Sequence, residues 1–110
     1  MTKMDKFLKR IEDATEKDLE NKSIWHLFGS AAEELGELSA EMMIEDNVFG
    51  HAHKQVDEGS KAEAVDLTIC ALALFFARGG TVKELVDIGH RKLDKWEKSQ
   101  TESNRGSSET

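Results

Sequence analysis

Proline is missing from this chain, cysteine occurs once, and aromatic residues fill only 6% of its 110 positions. Without proline, nothing in the sequence forces a kink or break inside a helix. The single cysteine, Cys70, has no partner for an internal disulfide, and a reducing cytoplasm is its simplest home. Basic residues are outnumbered by acidic ones, 15 to 22, giving a formal net charge of −7. That is the wrong balance for nucleic-acid binding by charge. The longest apolar run falls well short of the roughly 20 residues needed to span a bilayer, so no membrane segment is expected. The N-terminus is charged and amphipathic, unlike a secretory signal. The expectation is a soluble, cytoplasmic, single-domain chain, large enough for a modest core and small enough to profit from oligomerisation.

What is present is alanine, leucine, glutamate and lysine, a composition that favours an all-α fold. Phe7, Leu8 and Ile11 give a first helix, from about Met4 to Leu19, its apolar face. Ser23 is a plausible N-cap for a second helix running to about Asp46. On it Ile24, Leu27, Phe28, Ala31, Leu35, Leu38 and Met42 form one apolar stripe at helical spacing. Periodicity fails between Asn47 and Ser60, a connection of the length that often carries function. His51, His53 and Lys54 stand there, as solvated loop residues or as contacts for an anionic ligand. A third helix, from about Lys61 to Arg78, is apolar on nearly every side, which implies burial on every side. Four short helices in one monomer cannot easily surround it, so a homodimer or homotetramer with a shared helical core is expected. Gly79-Gly80 ends it, and Thr81-Val82-Lys83-Glu84 opens a fourth helix with a capping box. Val82, Leu85, Val86, Leu93 and Trp96 form its seam, and Lys92 and Lys95 lie beside it near the helix end. Residues 1–98 are thus read as the domain, and the polar stretch 99–110 as a disordered tail.

The second and third helices each carry a pair of acids at i, i+3: Glu34 and Glu37 in Glu33-Glu34-Leu35-Gly36-Glu37-Leu38, then Glu63 and Asp66 in Glu63-Ala64-Val65-Asp66. That spacing puts both acids of a pair on one helix face. The same spacing at Asp13/Glu16, Glu84/Asp87 and Asp94/Glu97 fits a solvated surface. The two chosen pairs differ because they border apolar stripes, and acids at the edge of a core need a partner. If the two faces meet, four carboxylates converge in a volume that is costly to charge unless a cation sits in it. Oxygen-only ligands point to a hard ion, Mg²⁺ first and Mn²⁺ second. A rival role exists for Glu63: in Ser60-Lys61-Ala62-Glu63 it would close a capping box on its own helix. Past Asp66 the same face carries the small residues Cys70, Ala73 and Ala77, which leave room for a ligand or let a helix approach.

These residues resemble the MazG-like nucleotide pyrophosphohydrolases of the all-α NTP pyrophosphatase superfamily. The likeness runs from Trp25 to Glu97: Glu34-x-x-Glu37, a loop, Glu63-x-x-Asp66 leading into an apolar helix, and the closing Lys92-Leu93-Asp94-Lys95-Trp96-Glu97. The resemblance implies a MazG-like four-helix bundle and hydrolysis of a nucleoside triphosphate to the monophosphate and pyrophosphate. It implies that Glu34, Glu37, Glu63 and Asp66 hold Mg²⁺, which also lets an acidic protein accept a polyanion. A mechanism follows of metal-assisted in-line water attack, with Glu37, then Glu34, as the acids that orient or deprotonate the water. Lys92 or Lys95 would meet the pyrophosphate and Trp25 would stack on the base. Glu33 and Glu41 are substitutes in the ligand set.

Bland readings stand beside these. Trp25 also fits a core or interface anchor, and Lys92 and Lys95 also fit the negative end of a helix dipole. The rival from another class is a non-catalytic helical interaction module with a solvated acidic face. A di-iron carboxylate bundle needs two Glu-x-x-His motifs, and the chain offers only Asp87-x-x-His90. Zinc has only the weak His51-x-His53. No nucleophile-elbow pattern supports covalent catalysis.

Overall fold

A computed structural model describes residues 1–53 and 58–108, with the backbone alone for 51–53 and 104–108. The described residues are all-helical and contain no strand. Contacts divide them into two compact units, Met1–Gly79 and the part from Gly80 onward.

In the first unit, α1 (Lys3–Leu19) starts at a reciprocal cap: the Asp5 amide donates to the Thr2 hydroxyl and the Thr2 amide to the Asp5 carboxylate, both at 3.0 Å. Leu8, Ile11 and Thr15 form its buried face, and the Thr15 hydroxyl donates to the Ile11 carbonyl at 2.7 Å. α2 (Ile24–Glu45) begins after Ser23, whose backbone is extended but whose side chain makes no capping bond. Positive φ at Asn47 (54°), Phe49 (55°) and Gly50 (76°) then bends the chain through a short 3₁₀ segment, Val48–His53. α3 (Ser60–Ala77) packs along α2, and α1 packs on α3.

Two contacts show that α2 and α3 run antiparallel. At one end the Ser60 amide donates to Glu45 Oε2 at 3.0 Å; at the other, Ile24, Trp25 and Phe28 share a shallow hollow with Leu74 and Arg78. The hydroxyl and amide of Ser60 hold the Glu45 carboxyl below its ordinary value. This bond also overturns the expected cap. Gly59, at φ 98°, is the N-cap, Ser60 is the first helical residue, and its amide is committed to Glu45. Glu63 is therefore not drawn back to its own helix end.

The apolar core of the described residues is small: Leu8, Ile11, Leu27 and Phe76. Each such side chain contributes about 1.5–3 kcal/mol when fully buried. The α2 stripe is only partly covered, because Leu27 is buried while Phe28 (53% exposed), Leu35 (56%) and Met42 (47%) face outward. α3 is likewise half-covered: Phe76 is buried, Leu67, Ile69, Cys70 and Ala73 are half-buried, and Val65 is exposed. No single helix among the described residues is long and apolar enough to cross a membrane.

The second unit is α4 (Val82–Ser108). Its start shows the expected capping box: the Glu84 amide donates to the Thr81 hydroxyl at 3.1 Å and the Thr81 amide to the Glu84 carboxylate at 3.2 Å. The helix continues through 99–108, where composition alone suggests a disordered tail. No proline interrupts the ladder, and the Thr101 hydroxyl donates to the Glu97 carbonyl at 3.1 Å.

Candidate metal centre

The antiparallel α2–α3 pair sets the acidic faces of both helices against each other. Glu34, Glu37 and Glu63 each offer a carboxylate oxygen, all within 4.8 Å of one another. A second group within the same distance consists of Glu58, Glu63 and Asp66. Glu63 belongs to both and is the most enclosed acid, only 4% exposed. Glu34 and Asp66 are half-buried, whereas Glu37 and Glu58 open to solvent. The cluster thus has a dry floor and a wet mouth.

No hydrogen bond satisfies Glu63 Oε2 or Glu34 Oε2, although both atoms are buried. A buried carboxylate oxygen without a donor carries its full desolvation penalty, and here its neighbours have the same sign. The consequence is visible in the proton affinities. Burial first, then the nearby carboxyls of Glu34, Glu37 and Asp66, push Glu63 up from 4.5 to about 7. The charge of Glu34, followed by burial, pushes Glu37 up as well. Burial, then the charges of Glu34 and Asp66, push the Cys70 thiol up, so the thiol stands beside the acids.

Carboxylates in a compact set, two of them with a buried and unsatisfied oxygen, fit a divalent hard cation in both chemistry and spacing. The residues that would hold it are Glu34, Glu37 and Glu63, with Asp66 joined to them through Glu63. Of the substitutes, Glu33 is exposed and adds its charge to Glu37. Glu41 is buried, 6% exposed, but belongs to neither group.

Beside the acids, Cys70 and Ala73 line a cavity of about 690 Å³ between α1, α2 and α3. Phe7, Ile11 and Leu27 supply its apolar wall, and Arg10, Asp13, Asp18 and His26 its polar one. The small residues on α3 thus leave open space.

Of the remaining expected site residues, Trp25 is in the same unit but stands apart from the cluster. Trp25 is 67% exposed, edge-on to Phe28 with ring centroids 5.7 Å apart, at the opposite end of the α2–α3 pair. At 1.5 Å per residue it lies about 13 Å along the helix from Glu34. Lys92 and Lys95 are exposed on α4, in the second unit. Lys54 lies outside the described residues, and so do the side chains of His51 and His53. Sequence reasoning missed Glu58, which precedes α3 and so carries no helical spacing to mark it; its nearness to the turn at Gly59 was the only signal.

No family model, curated protein or solved structure matches the chain.

Proposed function

We propose that the chain is a Mg²⁺-dependent nucleoside triphosphate pyrophosphohydrolase of the MazG-like kind, cleaving (d)NTP to (d)NMP and pyrophosphate. The observation that supports it is the approach of the buried Glu63, whose Oε2 is unsatisfied, to Glu34 and Glu37 across the helix pair, with Asp66 beside it. Glu34, Glu37 and Glu63, with Asp66, are the ligands; Mn²⁺ is the natural substitute ion. When bound, the cation offsets phosphate charge and makes a water molecule more acidic. Glu63 and Glu34, on the dry floor, anchor and orient. Glu37, exposed at the mouth, is the acid best placed to accept a proton from water at a carboxylate oxygen. The open cavity beside Cys70 gives a bulky substrate somewhere to lie.

The same reading takes the four helices as a bundle that completes its core by self-association, as a homodimer or homotetramer in the cytoplasm. Trp25 then acts as an interface anchor. A second reading, a non-catalytic helical interaction module, is favoured by one feature: Phe28, Leu35 and Met42 expose apolar surface at seven-residue spacing along α2.

The two readings separate in one assay. The chain is incubated with canonical and modified NTPs, with and without Mg²⁺, and pyrophosphate, orthophosphate and monophosphate are measured. Mg²⁺-dependent pyrophosphate release, lost in Glu37→Gln and Asp66→Asn, is the expected result. Orthophosphate as the first product contradicts α–β cleavage, and no turnover across the panel favours the interaction module.

A further inference from the structure

We infer that α4 pairs with α4 of a second copy of this chain, side by side and antiparallel, through its own apolar seam. The inference goes beyond the hydrolase reading and needs neither the cation nor the α2 stripe. Val82, Val86, Gly89, Leu93 and Trp96 recur at intervals of four, three, four and three, the heptad spacing of a two-helix seam. All of them lie within one uninterrupted helix. Val86, Leu93 and Trp96 are exposed, and no atom stands within 4 Å of where a β-carbon on Gly89 would be. Uncovered apolar knobs thus flank an open hole.

The sizes choose the occupant. Turned about a two-fold axis level with Arg91, the seam fits itself: Leu93 fills the space at Gly89 of the second copy, and Trp96 lies over its Val86. Each contact occurs twice, as a closed dimer requires. The same rotation brings Lys83, whose pair with Asp87 at 3.4 Å is exposed, opposite Glu97 of the second copy, again twice. Lys92 meets its own copy across the axis, a like-charge contact that the packing must outweigh. The parallel order would exchange that contact for Lys92–Glu97 pairs. It would also set Gly89 against Gly89 and Trp96 against Trp96, a void beside a crowded layer. Exposed ion pairs are worth little, whereas voids and overpacking are felt directly. The antiparallel order wins.

Sedimentation equilibrium of the full chain, without nucleotide, tests the pairing. Leu93→Glu with Trp96→Glu should halve the mass of the assembly, and circular dichroism should show the helices intact because both side chains are exposed. Lys92→Ala should tighten the pairing by about twofold, as expected for loss of one exposed like-charge contact. Orientation is read by double electron–electron resonance between spin labels on Glu102→Cys in a Cys70→Ser chain. Antiparallel helices place the two labels roughly 33 Å apart along the axis, whereas parallel helices place them side by side. A monomeric unaltered chain, or an assembly whose mass survives the double variant, overturns the pairing. Looser association in Lys92→Ala, or a label separation under about 20 Å, two helix diameters, overturns the antiparallel order.

Discussion

Replacing Glu63 with glutamine should change thermal stability in opposite senses with and without a divalent cation. In the cation-free chain Glu63 is enclosed among acids, with Oε2 unsatisfied. Its carboxyl binds a proton more tightly when folded, at about 7 against 4.5, so the folded state gains from protonation. That advantage is complete below the lower value and disappears as pH rises through the upper one. At pH 8 without cation, Glu63→Gln removes a charge repelled by its neighbours, and the variant should melt above the unaltered chain. Saturating Mg²⁺ reverses the order. An ion at one hundred times its dissociation constant adds about 2.7 kcal/mol, and in a chain of this size each kcal/mol is worth about 4–8 °C. The unaltered chain should therefore gain roughly 10–20 °C, while Glu63→Gln gains little. Differential scanning fluorimetry at pH 5 and pH 8, with MgCl₂ or EDTA, reads all four conditions. An Mg²⁺ shift of equal size in both chains would refute the role of Glu63 as ligand. A cation-free variant melting below the unaltered chain at pH 8 would refute the like-charge strain.

Other consequences follow from the same structure. Leu27→Ala removes one of the few buried apolar side chains and should cost about 2–5 kcal/mol, read from urea unfolding. Below pH 4.5, acid unfolding should be sensitive to Glu45: its lowered carboxyl favours the folded state above the ordinary value, and that contribution is lost as pH falls through the lowered one. Glu45→Ala should flatten that part of the stability–pH curve. Leu35→Glu with Met42→Glu, on the uncovered α2 stripe, should lower the sedimentation coefficient if that face joins copies of the chain; an unchanged value assigns the stripe elsewhere.

The helical acids were legible because α-helical spacing turns a sequence interval into a shared face. Glu34 with Glu37 and Glu63 with Asp66 lie at i, i+3, and the antiparallel packing of α2 and α3 brings Glu63 to Glu34 and Glu37, while Asp66 groups with Glu63 alone of these. The same periodicity marked the α2 stripe as apolar, but a stripe does not say what covers it. Leu27 is buried by the chain itself, while Phe28, Leu35 and Met42 are not. Two carboxylates were beyond local pattern for opposite reasons. Glu58 has no helical register, and Glu45 competes for the Ser60 amide from another helix, defeating a cap that Ser60 and Glu63 could have closed between themselves. Trp25 was readable as a large aromatic suited to an anchor or a stacking platform, but its 67% exposure and its place at the far end of the pair depend on how α2 and α3 align. The length of α4 past Ser99 was hidden by polar composition, since backbone hydrogen bonding leaves no apolar signature.

The central claim is that a divalent ion sits among the carboxylates of α2 and α3, and its position can be seen directly. Crystals grown with MnCl₂ and measured at the manganese absorption edge should show an anomalous peak bounded by Glu34, Glu37 and Glu63, within about 2.0–2.3 Å of their oxygens. Well-ordered crystals with no peak at ligand distance from Glu63, or with manganese only on acids elsewhere, would contradict it.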